Sequence, residues 1–210
     1  MQHLPRHLRH LALALTLPVA LVACGDDSPT GLEGSGTVTA EMHDDPGASQ
    51  ASQAGPAPAA AQSAASGTMS GSAQAFIFSE TQGWVAVGSA SSTSLAMQSA
   101  GTAAVGSATV EADSYTRVRL ILDGFNAQVD AGSALGGVTL DASVSIILGG
   151  ADGTVTIEKE ITPFTVSADA SANVSFDLNS EMWVDQESAE SETASDAEIE
   201  SATTAIATTG

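Results

Sequence analysis

Few side chains in this 210-residue sequence can carry out covalent chemistry. Serine catalysis needs a neighbouring base, usually histidine, but His43 is the only histidine after residue 23 and no Gly-x-Ser-x-Gly motif occurs. Zinc takes mainly cysteine and histidine ligands, so a single histidine cannot build such a site. Paired carboxylates for glycoside hydrolysis are expected by chance among 25 acids. The sequence therefore predicts a protein that is not an enzyme and has no cofactor.

Calcium is the more serious chemical hypothesis, because this ion takes six to eight oxygen ligands, often from Asp side chains in loops. Asp44 and Asp45 precede Pro46, and Asp152 precedes Gly153, so each candidate lies in a turn. Asp before Pro or Gly is also ordinary turn chemistry, and no EF-hand loop is present. We therefore keep Asp44, Asp45 and Asp152 as weak calcium candidates and expect no metal site.

Two further groups of side chains allow a functional and a structural interpretation. Arg117 and Arg119 share one face of a predicted strand; they either hold an anionic ligand or pair across strands with carboxylates such as Asp141 or Glu158. Two tryptophans, at positions 84 and 183, either form a sugar-stacking platform or pack in the core or at its rim. The structural interpretation is favoured in both cases.

The first 23 residues have the organisation of a secretory signal. Arg6 and Arg9 give a basic start without acids, and an apolar run follows at residues 11–22. A run of about 12 residues is too short for a bilayer core, which needs about 20. The run ends directly before Cys24, the only cysteine, which therefore cannot form an internal disulfide.

The sequence Leu21-Val22-Ala23-Cys24 resembles the lipobox of bacterial lipoproteins. This resemblance implies cleavage before Cys24 and lipidation of its thiol, usually with an acylated amino group. Two or more acyl chains on one residue anchor a protein stably in a membrane. Gly25 is not the Asp that retains enterobacterial lipoproteins in the inner membrane. The resemblance thus implies a cell-envelope protein, held in the outer membrane by lipid on Cys24, with the leaflet left open.

Charge excludes further function classes. Residues 24–210 carry three cations against 25 acids, a formal net charge of −22. Such a chain is repelled by nucleic acid and by anionic lipid surfaces. Nucleic-acid binding is therefore excluded.

The elements that must position these residues are strands. Apolar and polar residues alternate with a period of two in short runs, separated by Gly and Asp turns. The clearest run covers residues 138–148; Asp123-Gly124 predicts a hairpin turn, and Pro163 is expected to end a strand. No segment of the body shows a helical period. This pattern predicts an all-β fold, an antiparallel β-sandwich.

The predicted organisation has five parts. A signal peptide spans residues 1–23, a disordered lipidated tether 24–36 and the sandwich 37–183, within which residues 48–72 form a low-complexity insertion rich in Ala, Ser and Gly. Residues 184–210 are expected to be an acidic, flexible or weakly helical tail. Residues 202–208 are a candidate edge strand.

Three runs resemble strands of a widespread bacterial lipoprotein domain of unknown function. They are residues 36–42 with the following Asp44-Asp45-Pro46, residues 114–120, and residues 175–179. The family's sandwich is similar to transthyretin-like and carboxypeptidase-regulatory-like modules. The resemblance implies a sandwich over residues 33–183 and carries over no catalytic or binding residue.

Together these observations predict a lipid-anchored, non-catalytic β-sandwich of the cell envelope, acting as a structural or interaction module. Its partners are membrane lipid through acylated Cys24 and a cell-envelope protein or glycan. The alternative is a surface module that binds calcium or a glycan. Converging carboxylates or an aromatic platform in the structure favour this alternative.

Overall fold

The protein folds as an all-β sandwich. The computed structural model describes residues 34–46 and 64–210. The predicted signal peptide, Cys24 and most of the predicted tether and insertion lie outside the described residues. Twelve strands are present in the described part: β1 Ser35–Asp44, β2 Gly67–Ser79, β3 Gly83–Ala96, β4 Ser99–Glu111, β5 Asp113–Val129, β6 Ala134–Leu135, β7 Val138–Thr139, β8 Val144–Leu148, β9 Thr154–Val166, β10 Ser171–Asp177, β11 Thr193–Ala194 and β12 Thr204–Thr209. Two short α-helices are α1 Gln186–Ser191 and α2 Asp196–Ala202, and 3₁₀ turns cover Gly150–Asp152 and Ser180–Met182.

The strands form two main sheets. The smaller sheet has the order β12-β10-β1-β4, in which β1 and β10 are parallel and the other pairs antiparallel. The larger sheet has the order β11-β8-β5-β2-β3, and β9 also pairs with β5. One core cluster spans both sheets; it includes Val38 and Met42 of β1 and Val118 and Leu120 of β5. The predicted alternation in β5 is confirmed, because Val118, Leu120 and Leu122 are buried and the two arginines lie on the other face.

Close backbone approach joins the sheets where β3 continues into β4. A Cβ added to Gly106 of β4 would lie 2.1 Å from the carbonyl oxygen of Val87 in β3. A glycine is therefore required at position 106, since any side chain would push the two strands apart.

Three sequence-based expectations about strand limits were wrong. The chain does not turn at Asp123-Gly124; β5 runs through it, with Gly124 at φ 59° and a register shift against β2. Residues 138–148 do not form one strand: Val138–Thr139 pair with β6 in a local hairpin that turns at Gly136 and Gly137, both at positive φ, and β8 begins only at Val144. Pro163 does not end β9; it lies within a register shift against β5, where a missing N–H is tolerated.

The expected insertion and tail also differ from the structure. Residues 67–72 of the expected insertion belong to β2, whose small residues pair with β3 and β5. The C-terminal segment follows the helical alternative rather than the flexible one: capping boxes at Asp185 and Ser195 begin two short helices, and Ile199 is fully buried. The candidate edge strand is confirmed as β12, which pairs with β10.

We predict that Gly106→Ala destabilises the fold strongly. The obstacle is a backbone carbonyl that cannot rotate away, so the cost is at the upper end of overpacking, about 3 kcal/mol. For a domain of this size, the melting midpoint should fall by roughly 6 to 12 °C, measurable by circular dichroism.

Gly101→Ala on the same strand is the matched control, because a Cβ there would meet only the Ser99 hydroxyl at 4.0 Å. Its free energy of unfolding should stay within about 0.5 kcal/mol of wild type. Equal midpoints for both variants would contradict the close approach of β3 and β4.

Candidate functional site

Two polar groupings stand out, one buried at the end of β1 and one on the outer face of the larger sheet. The buried grouping contains the first calcium candidate. Asp44 is fully buried, and its carboxylate accepts hydrogen bonds from the backbone N–H groups of Ser180 and Gln98, at 2.7 Å each, and from the Ser180 hydroxyl. Asp44 therefore ties the end of β1 to the β3–β4 turn and to the segment after β10. Its oxygens hold the fold together rather than facing a ligand.

The other calcium candidates are not brought together with Asp44 into a site. The Asp45 carboxylate lies 3.3 Å from Nδ1 of His43, and Asp152 lies in the turn between β8 and β9 of the larger sheet. Among residues 34–46 and 64–210, no three His, Cys, Asp or Glu side chains are placed to hold a metal ion. The geometry thus adds no support to the calcium hypothesis.

Asp177 is the buried acid beside this grouping. Its side chain is 4 % exposed, and its Oδ1 lies 3.9 Å from Nδ1 of His43. Burial raises the pKa of Asp177 above its ordinary value and outweighs the opposing effects of His43 and of the N–H groups of Asn179 and Asp45; neighbouring Asp44 adds to the rise. The carboxylate is close to a histidine, and among the described residues no serine side chain forms a hydrogen bond with His43.

The outer face of the larger sheet carries the second grouping, which we call the arginine–aromatic face: Phe76, Phe78, Trp84, Arg117 and Arg119. Strand register places Phe78 opposite Trp84 on one side and opposite Arg117 on the other. The Phe78 and Trp84 ring centroids are 5.3 Å apart with the planes tilted by 60°. All five side chains are half-buried, so apolar rings and guanidinium groups share one face of the sheet.

Arg119 is fully engaged on this face. Its Cζ lies 4.0 Å from the Trp84 ring centroid, and its Nη2 and Nε lie 2.6 and 2.9 Å from Oε1 of Glu158. The predicted cross-strand pairing is therefore confirmed for Glu158. Arg117 is different: its Cζ lies 3.8 Å from the Phe78 centroid and 5.5 Å from that of Trp84, without an acidic partner in the described chain.

The remaining cation and the second tryptophan do not extend this face. The Lys159 ammonium donates to the backbone carbonyl of Glu200, and burial lowers the pKa of Lys159 against the opposing effect of the Glu200 carboxylate. Trp183 is 3 % exposed and donates to the Leu178 carbonyl at 3.0 Å. The expected core position of Trp183 is confirmed, and the two tryptophans form no common platform.

The sequence singled out both arginines and Trp84 but missed the two phenylalanines as their partners. The Phe76 and Phe78 alternation was visible, but the register that sets β2 between β3 and β5 was not. Comparison with protein-family models, with curated proteins and with solved structures gave no match to this chain. Among the described residues, no helix is long and apolar enough to span a membrane.

We predict that Asp177→Asn changes the pH dependence of stability. A raised folded-state pKa means that the stability this group contributes is full below its unfolded pKa of 3.8 and is lost as pH rises through the folded pKa. Asparagine stays neutral throughout. Relative to wild type, the variant should therefore gain stability as the pH rises above 3.8, which urea unfolding at a series of pH values measures.

Asp141→Asn provides the control, since Asp141 is exposed. The difference in free energy of unfolding between this variant and wild type should stay constant over the same series of pH values. A constant difference for Asp177→Asn as well would show that burial does not penalise this carboxylate.

Proposed function

We propose that the protein is a lipid-anchored, non-catalytic interaction module of the bacterial cell envelope, held in the outer membrane by lipid on Cys24. The arginine–aromatic face is the surface that binds a partner. This face is the observation that carries the proposal, because Trp, Phe and Arg are enriched at protein interfaces. Anchoring is supported by the signal-like residues 1–23 and the single cysteine that follows them.

A protein partner agrees better with this face than the alternatives do. Calcium binding lacks a group of converging carboxylates among the described residues. Sugar stacking needs an open ring, whereas Phe78 and Trp84 each already have a guanidinium within 4.0 Å of the ring centroid. A half-buried surface of rings and guanidinium groups instead matches the composition of protein-binding hot spots.

We predict that Cys24→Ser abolishes lipidation completely. Cys24 is the only thiol, so no other residue can accept a diacylglyceryl thioether. Cells fed an alkyne-tagged fatty acid should label wild type, and the Ser variant should remain unlabelled and keep its first 23 residues by mass spectrometry. Labelling of the variant would contradict anchoring at this position.

We predict that a photo-crosslinking residue at Ala86 captures a partner in intact cells. Ala86 is exposed and lies in register beside Phe76, which in turn pairs with Arg119. A discrete adduct should form at this position, and the additional change Trp84→Ala should reduce it several-fold because the adjacent ring is lost.

The control position is Thr109, which is exposed on β4 of the other sheet. It should give no corresponding adduct. Adducts of equal strength at Ala86 and Thr109, or none at Ala86, would refute the arginine–aromatic face as the binding surface.

A further inference from the structure

The guanidinium groups of Arg117 and Arg119 lie two residues apart on the arginine–aromatic face, and only one of them forms an ion pair within the described chain. Arg117 pairs in register with Glu160, and Arg119 with Glu158. Arg119 contacts its glutamate at 2.6 Å. Arg117 forms no ion pair within 4 Å and no side-chain hydrogen bond in the part of the chain that the structure describes, although it is half-buried. A glutamate therefore lies in register with each arginine, but among the described residues only Arg119 forms an ion pair with its glutamate.

We infer that Arg117 is the receptor for a carboxylate side chain on a partner protein, in the way that Arg119 receives Glu158. This inference rests on the proposed function and names the partner's chemistry. The guanidinium is planar and presents a fork of N–H donors that matches a carboxylate. Stacking on Phe78 at 3.8 Å holds the plane in place before the partner arrives. Little side-chain freedom is then lost on binding, which favours affinity.

The surroundings of Arg117 restrict what can carry this carboxylate. Glu158 and Glu160 are exposed beside it, and the chain after residue 23 has a formal net charge of −22. An acidic segment would be repelled, whereas a single carboxylate flanked by cationic residues complements both Arg117 and the neighbouring glutamates. An acidic glycan carries no such cations, and the rings beneath the guanidinium groups offer it no open stacking surface. The occupant is therefore a protein segment with one acid between basic residues.

The test is a side-chain NMR titration of the full chain in detergent micelles. The sequence has four arginines, so at most four Nε–H signals appear, and Arg117→Lys and Arg119→Lys assign the two on this face. The probe is the peptide acetyl-Lys-Glu-Lys-amide at fixed ionic strength, and the matched control is acetyl-Lys-Gln-Lys-amide. We expect a saturable shift of the Arg117 signal with the Glu peptide and a shift at least several-fold smaller for Arg119, whose fork is occupied.

Several outcomes would overturn the inference. Equal shifts with the Glu and Gln peptides would show that no carboxylate is recognised. A larger shift at Arg119 would show that Glu158 does not protect it. Saturable binding of oligogalacturonate without binding of the peptide would assign the face to acidic glycans.

An unchanged backbone amide spectrum confirms that Arg117→Lys is folded. Its expected several-fold weaker binding of the peptide therefore reports the loss of the guanidinium fork.

Failure of this inference is distinguishable from failure of the proposed function. If the Arg117 signal does not respond but the Ala86 adduct persists, the face binds a partner by another chemistry. If the adduct is also absent, the face is not the binding surface and both proposals fail.

Discussion

The hydrogen bonding of β5 along both edges is the constraint on which the remainder of the sandwich depends. One edge is bonded to β2 from Arg117 to Val129, and the other is divided between β9 and β8. Because side chains alternate across a strand, the residues that fill the core and the two arginines of the outer face belong to one run of chain. The core and the arginine–aromatic face are thus fixed by the same register, and a slip of one residue would exchange them.

Much of the fold was predictable, because the alternation of apolar and polar residues is a local signal. The residues at which the strands end were not predictable. The fully buried residues of β5 lie at even positions from Val118 to Leu122 and at odd positions from Phe125 to Val129. The Asp123-Gly124 pair between them suggested a turn, but a glycine bulge achieves the change of parity within one strand. The partner strand accommodates the bulge with Gly71, where a Cβ would meet the Phe125 ring at 2.5 Å. That fit joins residues 54 positions apart, which no local pattern reveals.

The site was predictable only in part, for the same reason. Side-chain type and strand parity placed Arg117 and Arg119 together and named Glu158 among their possible partners. Nothing local indicated that β2 would lie between β3 and β5 and bring rings beneath the guanidinium groups. The Asp44 carboxylate was read as a turn residue or an ion ligand, but its partners Gln98 and Ser180 lie 54 and 136 residues away.

The two outer faces of the sandwich differ in a way that folding alone does not require. Across the smaller sheet, one register row consists of small polar residues: Ser107, Thr39, Asn173 and Thr208. Across the larger sheet, a corresponding row consists of Trp84, Phe78, Arg117 and Glu160. The first row shows that Thr, Ser and Asn suffice to cover a sheet of this protein. Exposed pairs such as Arg119–Glu158 contribute only about 0 to 1 kcal/mol to stability, and this small contribution agrees with the binding role that we propose for the second row.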